Sequence, residues 1–370
     1  MLRQYKLSNY NFRLILWVVV LSILGILVVG SAESDYMSRQ IFGLVLGLIL
    51  MIVLSLMDYT WILNFNWLIY LGAIVLLLLV IVSSLGSSGG GATRWLTIGG
   101  FRFQPSDIAK IMLILFFARF FEDREEKINT ARTILTSMVL IGTPLFLILR
   151  EPDLSTTVVL ALVFCALIFT AGLSYKIIFS ILVVCIPVGV IFISLIMQPD
   201  QTIIQEYQMT RIYAWLYPDE YPSDSMQQQN SIKAIASGQL YGKGLDNDDV
   251  ESVKNGGFVS QDQTDFIFAV AGEELGFIGC CIIVLLEFLI ALECFLIGRR
   301  AKALSGTLIA CGVGVLVAFQ SFVNIAVATG LLPNTGLTLP FVSYGLTSLV
   351  SFCIGIGFVL NVGLQTKRYQ

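Results

Sequence analysis

The sequence predicts an all-α polytopic membrane protein, on three observations. Hydrophobic residues make up 56% of the 370 and charged residues 13%, where a soluble domain carries roughly 25% charge. The apolar residues gather into runs close to the ~20 residues that cross a bilayer as a helix. Clusters of lysine and arginine mark the N-terminal segment and several short connections that fall on one side of an alternating multi-pass chain, as the positive-inside rule describes.

Ten transmembrane helices follow in order, roughly at 13–31, 40–57, 66–84, 106–121, 132–149, 154–171, 175–197, 264–297, 305–329 and 341–363, with tolerance for short and tilted ones. The first follows Arg3, Lys6 and Arg13 and ends near Gly30-Ser31-Ala32. That pattern is similar to a signal peptide, but many spans follow, so an uncleaved first helix is expected. The eighth run is long enough to tilt or to project beyond the bilayer. Arg119, Arg124, Lys127 and Arg132 lie around the fourth-to-fifth connection, and Lys176 lies before the seventh span. Arg299, Arg300 and Lys302 precede the ninth span, and Lys367 and Arg368 close the chain. With ten alternating spans these all share one side, so both termini are expected to be cytoplasmic. The other side then holds the loop 85–105, the turn 151–153, a large extracytoplasmic loop at about 198–263 between the seventh and eighth spans, and the loop 330–340. The chain reads as one domain, 1–370. The middle of the large loop, 227–240, suits an amphipathic helix with Ile232, Ile235 and Ala236 as its apolar side.

The chain has no histidine, which removes the commonest general base and metal ligand. Acid–base chemistry near neutral pH then falls to Asp, Glu, Lys, Tyr or Cys. The seven cysteines form no CxxC pair and sit mostly in apolar runs, as small core residues rather than disulfide or zinc partners. The net charge of -3 singles out no partner, and no nucleic acid is expected.

Residues 263–279 read QTDFIFAVAGEELGFIG and carry Asp265, Glu273 and Glu274 into a stretch that otherwise reads as membrane. A carboxylate in hydrocarbon is costly unless it faces a partner or a wet cavity. On a continuous helix Asp265, Ala269, Gly272, Gly276 and Gly279 share one face. Such a strip admits another helix closely or leaves room for a ligand. Asp265 is the expected working residue; the alternative is an N-terminal carboxylate that favours the helix dipole. Glu273 and Glu274 point elsewhere, towards helix packing or a second polar cluster.

Residues 91–110 read GATRWLTIGGFRFQPSDIAK. Pro105 suits a first helical turn, and Asp107 and Lys110, three apart, share a helix face. They read as an ion pair that fixes packing, or as a lysine held ready for an anionic group. Arg94 and Arg102 add positive charge for a phosphate. Trp95 reads as an interface anchor or as a platform for an apolar or sugar face. Residues 86–91, GSSGGG, read as a flexible linker. Asp153 caps the sixth span or lends polarity to an outer cavity. In the large loop, Arg211, Lys233 and the amides at 227–230 read as solvated polar loop or as contacts for a sugar or peptide. Residues 332–345, LPNTGLTLPFVSYG, read as a shaped turn into the tenth span.

Five blocks, in order, resemble those of the SEDS family (shape, elongation, division and sporulation proteins) over nearly the whole chain. They are 91–110, EPDLSTT at 151–157, QQNSIKAIASGQLYGKGL at 228–245, 263–279 and 332–345. The resemblance implies a peptidoglycan glycosyltransferase with ten membrane helices in the cytoplasmic membrane of a bacterium. It implies lipid II as donor and acceptor, polymerised at the outer face. A class B penicillin-binding protein is the implied partner, alongside other elongation or division proteins. A divalent cation, Mg²⁺ or Mn²⁺, is implied as well. Asp265, in the TDF block, is the implied base, and Lys110 is implied to matter. For such a transfer Lys110, Arg102, Arg94 and Arg211 are candidates for the leaving diphosphate. Asp107, Trp95, Lys233 and Asp153 are candidates for further substrate contacts. The sequence departs from the family pattern at Asp107 (usually Glu), Ser155 (frequently Gly), Leu346 (usually Gly) and in SQDQ before Thr264, where a Pro-Glu pair is common. The reading leans to the RodA-like branch. Its rivals are a flippase for the lipid-linked precursor and a non-catalytic scaffold for the penicillin-binding protein.

Overall fold

Apolar runs in a membrane fold as helices because every backbone N–H and C=O must be satisfied within the segment. The computed structural model describes residues 10–82, 86–89, 92–98, 101–177, 179, 183, 206–245 and 263–365. In order these form α1 (Phe12–Ala32), α2 (Ser34–Leu56), a short α3 (Tyr59–Leu63) and α4 (Asn66–Val82). Strands β1 (Gly86–Gly89), β2 (Ala92–Ile98) and β3 (Phe101–Phe103) follow, then α5 (Pro105–Glu122), α6 (Ala131–Arg150) and α7 (Leu154–Thr170). Last come α8 (Glu206–Leu216), α9 (Pro222–Ser237), α10 (Ile267–Arg299), α11 (Leu304–Ala328) and α12 (Leu346–Leu364). Among the described residues α1, α2, α6, α10, α11 and α12 are long and apolar enough to cross a membrane, and α4 and α7 are shorter apolar helices. The predicted span at 175–197 lies largely outside the described residues.

The centre of the bundle is α5, α11 and α12. Helix α12 is buried along almost its whole length, with α2 laid against it. The close approach runs along Gly43 and Gly47, four apart on α2, which face Leu349 and Cys353. This is the small-residue packing that substitutes for a hydrophobic driving force in lipid. Asn361 of α12 donates to the Ser55 carbonyl at 2.8 Å and accepts from the Tyr59 N–H at 3.1 Å. One buried amide thus serves the orphan backbone groups where α2 ends and α3 begins.

Three expectations are corrected. The strands form an antiparallel sheet in the order β1-β2-β3, with Ser87 opposite Trp95 and Thr97 opposite Arg102. Residues 86–89 are therefore a strand and not a linker, and the fold is not strictly all-α. A Gly-Ser run has poor strand propensity of its own; pairing with the Thr- and Trp-bearing β2 extends it. Second, α9 ends at Ser237, and its buried face is Ser225, Gln228, Ser231 and Ala234, while Ala236 is exposed. The polar stripe is buried because it serves the carbonyls at the end of α11. Gln228 donates to Val327 and Leu332, and Ser231 to Ala328, at 2.7–2.8 Å.

The third correction concerns the strip below Asp265. Helix α10 begins at Ile267 and breaks at Gly276, where φ is 67° and ψ -167°. Asp265 therefore stands in the turn before the helix, and the strip is not one continuous face. Gly272 takes the side chain of Ile235 from α9. The break exposes backbone groups, and residues 239–244 satisfy them. Lys243 and Gly244 donate to the carbonyls of Glu273 and Glu274, and Phe277 and Ile278 donate to those of Gln239 and Leu240, at 2.9–3.2 Å. Lys243 Nζ also meets Glu273 at 2.8 Å, and Ser31 donates to Glu274. Both glutamates thus serve this clasp. Beyond the break, residues 277–299 rise about 35 Å at 1.5 Å per residue, enough to span a bilayer alone. The first turns of α10 then stand with α9 above it.

The clasp makes a direct prediction. Gly242 has φ 78°, and a Cβ there would collide with the Glu274 carbonyl. Gly242→Ala is expected to cost about 2–4 kcal/mol, from left-handed strain plus overpacking. Thermal unfolding in detergent micelles reads this directly. A midpoint unchanged from wild type would mean that the clasp yields freely.

Candidate active site

Asp265 lies in a turn that is pinned from three directions. Asn324, on the outer part of α11, donates to the Asp265 carbonyl at 2.9 Å and to the Leu337 carbonyl at 2.6 Å. Ser343 Oγ donates to the Thr264 carbonyl at 2.6 Å, and the Tyr344 N–H donates to that of Gln263 at 2.9 Å. Phe266 is buried beneath it. With its backbone held to α11 and to the loop before α12, the Asp265 side chain projects from a fixed base.

That side chain and Arg94 both approach Gly336. A Cβ built on Gly336 would lie 3.4 Å from Asp265 Oδ2 and 3.8 Å from Arg94 Nη1, and its φ is 73°. Glycine at this position lets the loop take a left-handed turn and leaves the two charged groups facing each other. Arg94 comes from β2, donates to the Pro152 carbonyl and stands 3.9 Å from Asp153. Arg211, from α8, donates to the Asn334 carbonyl at 3.4 Å. Asp153 also caps α7, accepting from the Thr156 N–H at 3.1 Å and from its hydroxyl at 2.9 Å. Ser155 donates to the Thr335 carbonyl at 2.6 Å.

Burial pushes the Asp265 carboxyl up to about 6; Arg211, Arg94 and a hydrogen bond from Thr264 oppose the rise, and the Asp153 charge adds to it. Burial likewise pushes Glu151 up to about 8, with Asp153 adding and Arg94 opposing. Arg94 thus acts on Asp265, Asp153 and Glu151, and Arg211 acts on Asp265. An acid raised towards neutrality but still ionised at pH 7 is suited to accept a proton.

Lys110 and Asp107 form a second layer. Lys110 Nζ lies 2.9 Å from Asp107 and donates to Gln320 at 2.9 Å, and both charged residues are buried. Gln320 donates in turn to the Thr338 carbonyl at 3.0 Å. Gln320 and Asn324 are one turn apart on α11, so Lys110 supports the same loop that Asn324 holds at Asp265. Lys110 is engaged in this pair, not held ready at a surface.

The structure thus brings together Asp265, Arg94, Asp153 and Arg211, and links Lys110 and Asp107 to them through α11. It does not bring Lys233 there: its side chain is exposed on α9. Trp95 is half-buried on β2 beside Arg94. Arg102 lies on β3, with its side chain outside the described residues. Gly336, Asn324 and Gln320 were not singled out from sequence. Their signal was a pair of amides one turn apart in an apolar run, followed by the PNTG island.

The family profile described as "cell cycle protein" (FtsW, RodA, SpoVE) matches residues 8–368. The chain belongs to this family. It is 33% identical to the "Probable peptidoglycan glycosyltransferase FtsW" of Geobacter sulfurreducens, over 98% of this chain and 97% of the relative. The protein of the same name from Bacillus subtilis is 29% identical, over 98% and 92%. In three dimensions the chain is similar to one from a peptidoglycan synthase complex solved to show how polymerization and crosslinking are coordinated. Its TM-score is 0.80 at 28% identity, covering 98% of this chain and 99% of that one. Rod shape determining protein RodA of Thermus thermophilus matches with a TM-score of 0.71 at 27% identity, covering 98% of both chains. Relatives from the FtsW and RodA branches thus stand side by side.

Proposed function

We propose that Asp265 is the general base of glycan polymerisation, and that Arg94 and Arg211 hold the leaving diphosphate beside it. The chain is a multi-pass membrane protein and a peptidoglycan glycosyltransferase of cell-wall synthesis. In the reaction proposed here, a sugar hydroxyl of one lipid II molecule attacks the anomeric carbon of another. The O–C bond forms, the bond to the lipid diphosphate breaks with its electron pair, and the hydroxyl proton passes to Asp265. Direct attack inverts the anomeric centre, so a single carboxylate suffices. The observation that carries this reading is that the buried Asp265 lies in the field of Arg211 and Arg94, with Gly336 between it and Arg94. It sets a proton acceptor beside a charge that stabilises the leaving group.

The described residues do not fit a resident metal ion: no three His, Cys, Asp or Glu side chains gather among them, and Asp153 and Asp265 face arginines. A Mg²⁺ or Mn²⁺ ion is proposed to enter with the substrate's diphosphate, and no step is assigned to it. The basic loops support ten spans with both termini in the cytoplasm, which puts Asp265 on the extracytoplasmic rim. The likeness to a synthase complex supports a cross-linking partner, a class B penicillin-binding protein.

Glu273 and Glu274, polar groups in a membrane stretch of the kind a flippase would use, are engaged with Lys243, Ser31 and the clasp. The test is purified protein with lipid II and a divalent cation, without a partner protein. Glycan polymer is the expected product. Transbilayer movement of labelled lipid II in vesicles without polymer would establish the flippase, and neither outcome would leave the scaffold.

A further inference from the structure

The turn 151–153 sets a buried acid beside Arg94 and Asp153, and the mechanism gives that acid no task. Glu151 is 2% exposed, and neither of its oxygens has a hydrogen-bond partner among the described residues. Buried polar groups are nearly always paired, so such a group marks a place where something else supplies the partner. Arg94 Nε, Asn334 Oδ1 and Thr335 Oγ1 are among the other buried atoms that lack partners among the described residues. Contacts already described tie all four residues to one place. Arg94 reaches the carbonyl of Pro152, next to Glu151. Ser155, on the same segment, holds the Thr335 carbonyl. Gly336, the next residue, lies against Arg94 and Asp265.

We propose that Glu151, Arg94 Nε, Asn334 Oδ1 and Thr335 Oγ1 form a subsite that reads the ring substituents of the attacking sugar. The inference rests on the reading of Asp265 as the base of a glycosyl transfer. The chemistry of the four atoms selects the ligand. Arg94 Nε–H donates, Asn334 Oδ1 accepts, and the Thr335 hydroxyl does both. Burial raises the Glu151 carboxyl to about 8, so near neutral pH it holds a proton and also does both. A sugar ring, whose hydroxyls and acetamido group each donate and accept, matches this mixed set. A diphosphate only accepts, so it leaves Asn334 Oδ1 and the accepting sides of Thr335 and Glu151 unmatched. The subsite adjoins Asp265, so the ring it orients is the one whose hydroxyl is deprotonated.

The test compares the full chain in detergent micelles binding two probes, lipid II and the same polyprenyl diphosphate without sugars. Glu151→Leu is expected to weaken lipid II binding about tenfold, as for loss of a buried hydrogen-bonding group, and to leave the sugar-free lipid unchanged. Glu151→Gln, which keeps a donor and an acceptor, is expected to bind lipid II within about threefold of wild type. Equal loss on both lipids, no loss, or equal loss in the Leu and Gln variants overturns the subsite. Where the Leu variant is not recovered folded, Thr335→Val decides: a loss of about threefold confined to lipid II supports the proposal, and an unselective or absent loss overturns it. Polymerisation by Asp265→Asn at the wild-type rate would sink the base assignment without altering this binding comparison, so the two failures are separable.

Discussion

Asp265→Asn is expected to lower glycan polymerisation by roughly 10²–10⁴-fold, the usual contribution of a general base, while leaving the protein at least as stable as wild type. The two halves of this expectation have one cause. Burial raises the Asp265 carboxyl from its ordinary 3.8 to about 6, so the folded protein binds that proton more tightly than the unfolded chain does. The stabilisation from this proton is fully present below 3.8 and is lost as pH rises through about 6. At neutral pH the ionised carboxylate is a net cost to folding, and the neutral amide removes it. Activity has the opposite sign, because the base works only when ionised. Wild-type polymerisation is expected to fall as pH drops through about 6. Initial rates between pH 5 and 8, read as glycan product, with unfolding midpoints on the same preparations, check both halves. A rate unaffected across that interval would remove Asp265 from the proton transfer.

Asp265 was legible because a charge in an apolar stretch is costly and therefore informative. Its surroundings were less so. Reading 263–279 as one helix aligned Asp265 with Gly272, Gly276 and Gly279, but Gly276 breaks the helix, and the groups that stabilise the break come from 239–244. A helix period describes one segment and carries no record of a distant partner. The same holds for β1, whose Gly-Ser composition suggests a linker until β2 pairs with it. Arg94 and Arg211 were visible as cations, but their placement near Asp265 depends on the Pro152 and Asn334 carbonyls that hold them, 58 and 123 residues away in the chain. Gln320 and Asn324 were passed over because a lone amide in an apolar helix reads as neutral. Their importance comes from the carbonyls they hold. The apolar spans were legible because length and hydropathy are local properties.

Lys110→Met and Asp107→Asn are each expected to cost about 3–5 kcal/mol of stability, because each strands a buried partner. In Lys110→Met the Asp107 carboxylate loses a cation 2.9 Å away; in Asp107→Asn the buried ammonium keeps oxygen acceptors, Gln320 among them, but loses its compensating charge. The double variant removes both charges and is expected to recover most of the loss, since a buried pair gives little net stability over a neutral replacement. Activity then separates the two roles proposed for Lys110. As an ion pair, it acts by fixing Gln320, which holds the Thr338 carbonyl in the loop that reaches Asp265. In that case the double variant regains polymerisation along with its unfolding midpoint. As a diphosphate contact, Lys110 cannot be replaced by restoring neutrality, and the double variant would be stable but inactive. The burial of Lys110 and its two partners favour the first outcome. The positive charge that meets the substrate then comes from Arg94 and Arg211, which stand in the Asp265 layer, and the lysine one layer below sets the height and angle at which that layer is held.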